Sequence, residues 1–166
     1  LQHRIGGLEK EHFTGNVSYD PDNHDKMVRL RAEKIERISN DIPLAQVEGD
    51  TEGDLLVVGW GGTYGAIRSA VTRQRQKGQS VSHVHLRYLN PFPRNLGETL
   101  YKFKKILVPE INLGQLVKIL RAKYLVPAIG FDKVRGLPFK SVEIEREIEE
   151  IFGKSKDTIE FVEDRP

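Results

Sequence analysis

Cysteine is absent from the 166 residues. The chain's own side chains therefore cannot form a disulfide, a thiolate nucleophile, an iron–sulfur ligand set or a zinc–thiolate site. A reducing cytoplasm is compatible with that, and cytoplasmic is the expected location. Net charge is nearly absent as well: 26 basic residues stand against 24 acidic ones, for a balance of +2. No excess of one sign points to nucleic acid or to an anionic membrane surface as a partner. Long apolar runs are missing, so no segment reads as a membrane span, and no signal-peptide pattern is visible. The chain starts at Leu1, not at Met, as a piece of a longer protein would. The cations that are present come in local groups, such as Arg73, Arg75 and Lys77 or Lys102, Lys104 and Lys105. Each group falls at or near an expected helix C-terminus, where positive charge complements the helix dipole.

What is present is an alternation of strand and helix patterns. Residues 1–41 read as an N-terminal arm and linker helix, 42–153 as an α/β domain and 154–166 as a flexible polar tail. Asp20-Pro21 opens the linker helix, with Asp as N-cap and Pro at the first helical position. That helix carries only a thin apolar stripe of Met27, Val28, Ile35 and Ile38 and needs a partner surface. Residues 44–48 read as a short edge strand. Asp54–Gly59 is continuously apolar, as in a parallel sheet covered on both faces. Further strands are expected at 81–86, 106–109 and 126–131, and helices after Thr63, after Asn95, from 113 to 124 and from 141 to 152. This order predicts a three-layer α/β/α fold with a mostly parallel sheet. Ligands of such sheets bind at the carboxyl ends of the strands, so the strand-to-helix joints are the places to look.

The first joint is Gly59-Trp-Gly-Gly-Thr-Tyr-Gly65. A glycine-rich turn that opens a helix is the setting of a phosphate loop, because free N–H groups at the helix start attract anions. Here the third glycine is displaced by one position, with Tyr64 in its place. The acidic residue expected about 20 positions on is missing too. The plainer reading makes Thr63 an N-cap and Gly65 a point of close helix–sheet approach. The second joint, His83 to Asn95, puts His83 and His85 on one strand face. A metal would need a third ligand, so the two imidazoles read as buried, hydrogen-bonded structure. Arg87 and Arg94 could each pair with a carboxylate or phosphate, of a substrate or of a neighbouring subunit. The third joint contains Glu110, Asn112 and Gln115. Asn-x-x-Gln is a capping-box variant, which accounts for Asn112 and Gln115 without catalysis. Glu110 remains, a lone carboxylate at a strand's carboxyl edge beside a helix start, able to accept hydrogen bonds from loops 59–65 or 87–95. No nucleophile–base set or metal-ligand spacing completes a mechanism. No catalytic residue is assigned.

Three stretches taken in order, DLLVVGWGGTYGAI, HLRYLNPFPRNLGE and ILVPEINLGQL, resemble the C-terminal domain of the α subunit of 2-oxoacid:ferredoxin oxidoreductases. The stretch GLEKEHFTGNVSYDPDNHDKMVRLRAEKI resembles the linker of the 2-oxoglutarate type, with Lys10 departing from that pattern. The resemblance covers about residues 7–140. It implies a transketolase C-terminal-like fold with five strands, one of them an antiparallel edge strand. It also implies a multi-subunit enzyme that oxidatively decarboxylates a 2-oxoacid with coenzyme A to acyl-CoA, carbon dioxide and reduced ferredoxin. Thiamine diphosphate and Mg²⁺ would be held between the α subunit and a thiamine-binding β subunit, and the [4Fe-4S] cluster in another subunit. This chain alone would bind no cofactor and would be inactive. Its partners would be the β subunit, the rest of the α subunit, ferredoxin through the complex, and a second copy if it forms a homodimer. Gly61, Thr63, Arg87, Asn90, Arg94, Glu110, Asn112 and Gln115 are the candidate contacts with substrate or subunit. Two other readings stay open: the C-terminal domain of a thiamine-dependent 2-oxoacid dehydrogenase β chain, and a nucleotide-binding α/β domain.

Overall fold

The computed structural model describes residues 6–163, with side-chain surroundings through Gly153. The ends of the expected arm and tail, residues 1–5 and 164–166, lie outside the described residues. Two compact units are distinguished: Leu1–Pro43 with Tyr88–Pro93, and Leu44–Arg87 with Arg94–Pro166.

In the first unit, helix α1 spans Pro21–Arg37, and the Asp20 side chain accepts a hydrogen bond from the Asp22 N–H. This is the N-cap the sequence pattern requires. No residue of α1 is buried. What ties the preceding arm to the helix is polar. The Glu9 carboxylate accepts from both Nη atoms of Arg31, at 3.0 and 3.1 Å, and meets Nδ1 of His24 at 2.7 Å. The bonds from Arg31, foremost, and from the Lys10 N–H and His24 hold the Glu9 carboxyl at about 2, below the usual carboxylate range.

The second unit contains a five-stranded sheet: β1 Val47–Glu48, β2 Gly53–Trp60, β3 Val81–Leu86, β4 Phe103–Glu110 and β5 Ala128–Asp132. The strand order is β1-β3-β2-β4-β5. Only β1 runs antiparallel, pairing Val47 with Val84 and Glu48 with His83. The expected edge strand is therefore present, shortened to two residues. Helices are α2 Tyr64–Gln76, α3 Leu96–Tyr101, α4 Gln115–Tyr124 and α5 Ser141–Glu163. Leu55, Val57 and Leu107 join Ile67, Ala70 and Val71 of α2 and Ile144, Ile148 and Ile151 of α5 in one core. The alternate strand residues Leu56, Val58, Ile106 and Val108 are equally buried. Successive strand side chains point to opposite faces, so both faces are covered; α3 and α4 contact β4. That is the three-layer arrangement that a continuous apolar run in β2 demands.

Several local expectations are corrected. Gly65 has open space where a Cβ would stand, whereas one on Gly59 would lie 2.5 Å from Cδ1 of Ile67 and 3.0 Å from the Thr63 hydroxyl. The close approach of α2 to the sheet is thus set at Gly59, the last-but-one residue of β2. Asn95 does not cap α3 through its side chain. Instead it donates to the Ala45 carbonyl at 2.9 Å and accepts from the Ala45 N–H at 2.8 Å, clamping the segment before β1. Helix α5 continues to Glu163, past the expected end at Phe152. Arg73, Arg75 and Lys77 pair with Glu145, Asp50 and Glu149, and Lys104 with Asp54, so these cations also reach across elements.

Candidate functional site

At the carboxyl edge of the sheet the chain puts Trp60 at the end of β2 and Glu110 at the end of β4. Parallel strands bring these residues together although 50 positions separate them. Glu110 is fully buried. One oxygen accepts from the Leu116 N–H at 2.8 Å, from Asn112 Nδ2 at 3.2 Å and from the Trp60 indole N–H at 3.3 Å. The other accepts from the Val117 N–H at 3.0 Å. The carboxylate therefore caps helix α4, satisfying two of the N–H groups that a helix start leaves without partners.

Asn112 takes part as expected, since its Oδ1 accepts from the Gln115 N–H at 2.9 Å. The capping box does not form, because α4 begins at Gln115 itself and not at Leu113. The residue before the helix is Gly114, at φ 71° and ψ 57°. A Cβ there would meet the Asp132 carboxylate at 3.0 Å and Val117 Cγ1 at 3.1 Å. Only glycine adopts this left-handed turn beside two neighbours without strain. Thr63 is also corrected. Its hydroxyl accepts from the Trp60 N–H at 3.1 Å and donates to the Trp60 carbonyl at 2.8 Å. It closes the short turn Gly61–Thr63 and leaves the α2 N–H groups alone.

Of the eight candidate residues, the structure gathers Glu110, Asn112 and the backbone of Gln115 into one hydrogen-bonded set; Thr63 reaches the same set through Trp60. Gly61, Arg87, Asn90, Arg94 and the Gln115 side chain are exposed. The bond expected from loop 59–65 to Glu110 is present, and its donor is the Trp60 indole, a residue that the linear pattern does not single out as the donor. Among the described residues no group of three or more His, Cys, Asp and Glu side chains could hold a metal ion.

His83 is buried as expected, but not hydrogen-bonded as expected. Neither ring nitrogen has a partner among the described residues, nor does Nδ1 of His85. The Tyr64 ring lies 5.6 Å from the His83 ring and 5.0 Å from that of His85. Burial, ahead of the charges of His85 and Arg68 and against that of Glu48, pushes the His83 imidazole down to about 4. His85 is lowered in the same direction, by burial first and then by Arg87.

One modest effect follows from the third joint. Asn112→Ala is expected to cost about 1 kcal/mol of stability, through loss of the exposed cap bond to Gln115 and of the longer amide bond to Glu110. Urea unfolding measures it; a change below about 0.5 kcal/mol would remove Asn112 from the cap.

Residues 53–128 match the family described as pyruvate:ferredoxin oxidoreductase core domain II. The chain is 51% identical over 147 residues to the 2-oxoglutarate oxidoreductase subunit KorA of Mycobacterium tuberculosis, covering 88% of this chain and 22% of that protein. It is 32% identical to the 2-oxoglutarate synthase subunit KorA of Methanocaldococcus jannaschii, covering 81% of this chain and 37% of that one. Among solved structures, the 2-oxoglutarate:ferredoxin oxidoreductase of Magnetococcus marinus, with 2-oxoglutarate, coenzyme A and succinyl-CoA bound, superposes with a TM-score of 0.82 at 32% identity. That superposition covers 90% of this chain and 26% of that one. A split-gene transketolase, at 17% identity and a TM-score of 0.50 over 64% of this chain, shares the fold. The chain spans roughly a fifth to a third of the relatives it matches. Three motifs, one domain match and one fold thus agree: the chain belongs to the α subunits of the 2-oxoacid:ferredoxin oxidoreductases and carries their core domain II.

Proposed function

We propose that this chain is the C-terminal part of the α subunit of a 2-oxoglutarate:ferredoxin oxidoreductase. The whole enzyme would decarboxylate 2-oxoglutarate oxidatively with coenzyme A, yielding succinyl-CoA, carbon dioxide and reduced ferredoxin. The reading is supported by relatives named for 2-oxoglutarate at 51% and 32% identity. Within that enzyme the chain's own part is assembly: it presents a stiff sheet edge to the rest of the α subunit and to the thiamine-binding β subunit. The observation that carries this part is Glu110. The one buried carboxylate at the strand ends is committed to two backbone N–H groups, an amide and an indole. A carboxylate so committed, and fully buried, is out of reach of a substrate for proton transfer. Thiamine diphosphate would supply the carbanion chemistry, and we assign none of this chain's described residues to its Mg²⁺, for want of a suitable donor group. Arg87, Arg94 and Gln115 are exposed, and in this reading they contact neighbouring subunits or coenzyme A. No helix among the described residues is long and apolar enough to cross a membrane, and the cytoplasm is the proposed location.

The test uses the full-length protein, purified anaerobically with the subunits that accompany it. The expected result is reduction of a low-potential dye that requires both 2-oxoglutarate and coenzyme A, with a cysteine-bearing, thiamine-binding partner present. Activity that requires lipoamide would move the protein to the 2-oxoacid dehydrogenases. Absence of activity with every 2-oxoacid, together with tight NADPH binding, would favour the nucleotide-binding reading.

A further inference from the structure

A half-open cavity of about 460 Å³ lies between α2 and the short strand β1, and none of its lining residues belongs to the Trp60–Glu110 cluster. That volume is in the range of small-molecule sites. Arg68, Thr72 and Gln76 follow one another at four-residue spacing along α2, and Arg75 stands beside them. All four line the cavity, Glu48 closes the opposite wall, and His83 is among the lining residues. The lining therefore offers two guanidinium groups, a hydroxyl, an amide and an imidazole, against a single carboxylate.

That carboxylate is already occupied. Glu48 accepts from the Tyr64 hydroxyl at 2.9 Å and lies 3.5 Å from Nε of Arg68. Arg75 uses Nη1 for Asp50 and for the Val81 carbonyl, both near 3 Å. An arginine held through one nitrogen keeps its planar fork oriented while other N–H groups remain for a ligand. The second observation is His83. It is fully buried, it borders this cavity, and both its ring nitrogens lack partners among the described residues. A buried polar atom without a partner is costly, and a polar ligand atom that reached the ring from the cavity would relieve that cost.

We propose that this cavity is a binding site for the oxyanion group, phosphate or carboxylate, of a small molecule, with Arg68 and Arg75 pairing the charge and His83, Thr72 and Gln76 the remaining polar atoms. The neutral imidazole donates through one nitrogen and accepts through the other, which suits a hydroxyl next to the charged group. The site does not depend on the proposed reaction, and its test requires no turnover.

The test is isothermal titration of inorganic phosphate, and separately of succinate, into the full-length protein, with sodium chloride of matched ionic strength as control. The expected result is one saturable site for at least one probe, with Kd of about 1 mM or tighter. Phosphate alone assigns a tetrahedral anion, and succinate alone a carboxylate. Arg68→Gln and Thr72→Val, both on exposed positions of α2, should each keep the wild-type unfolding midpoint. Arg68→Gln should weaken the site by about tenfold or more, through loss of a charge-assisted pair. Heats no larger than the chloride control with both probes would overturn the proposal. So would binding that survives Arg68→Gln and Thr72→Val unaltered, since such binding belongs elsewhere on the protein.

Discussion

Glu110→Ala is expected to lower the unfolding free energy by about 3 kcal/mol or more, since each buried donor left without a partner costs about 1–3 kcal/mol. The wild-type side chain is fully buried and satisfies the N–H groups of Leu116 and Val117, the Asn112 amide and the Trp60 indole. Alanine leaves all four donors without it. The helix N–H groups suffer most, because Leu116 and Val117 are themselves buried and water does not replace the carboxylate there. Glutamine is expected to recover only part of the loss, since its amide has one accepting oxygen for two helix N–H groups and turns an NH₂ toward the other. The effect should exceed that of Asn112→Ala several-fold, because the Asn112 bond to Gln115 is exposed and its bond to Glu110 is only part-buried. Trp60 is the only tryptophan in the chain, so its fluorescence reports both the global transition and the local loss of the indole bond. Urea unfolding that shows a loss below about 1 kcal/mol would mean that Glu110 is not the cap that holds α4 to the sheet.

His83 should make the folded state acid-sensitive well above the carboxylate range. Its imidazole is held at about 4 in the folded chain, against 6.5 for the free side chain. Above pH 6.5 the residue is neutral in both states and contributes nothing to the pH dependence. As the pH falls below 6.5 the unfolded chain takes up a proton that the folded chain refuses, so stability is lost with a slope of about 1.4 kcal/mol per pH unit. The loss reaches about 3 kcal/mol by pH 4, where the folded imidazole also protonates. His85 is lowered too and adds in the same direction. Glu9 acts in a separate, lower window: its depressed carboxyl contributes above its usual value of 4.5, and that contribution is lost as the pH falls toward 2. Measurement between pH 7.5 and pH 5 therefore isolates the histidines. Urea unfolding should show the wild type losing about 2 kcal/mol more than His83→Leu over that interval. Parallel profiles for the two proteins would show that the His83 ring has solvent or partners in the folded state.

The fold was legible because it rests on patterns that a chain carries locally. The continuous apolar run of β2 demanded cover on both faces, and the core holds its residues between two helical layers. Asp20-Pro21 started α1 where cap chemistry puts it. The helix at the third joint was legible as well, but not its first residue. Asn-x-x-Gln fits a capping box on paper, and the left-handed Gly114 moves the helix start to Gln115. Asn95 failed for a related reason. Its amide serves Ala45, 50 positions away, and long-range pairing outweighed the local cap.

What the sequence by itself determined is the class and the limits: a mostly parallel α/β sheet with one short edge strand, polar residues gathered at the strand-to-helix joints, no cysteine chemistry, and three motifs in family order. Those properties depend on residue type and spacing along the chain. Only the tertiary structure decided that Trp60 is the residue of loop 59–65 that meets Glu110, that Gly59 and not Gly65 admits α2, and that His83 is buried without a hydrogen-bond partner among the described residues beside a cavity rich in donors. Each of these is a relation between strands or between a strand and a helix. Its energy comes from desolvation and contact across the fold, which no local pattern encodes.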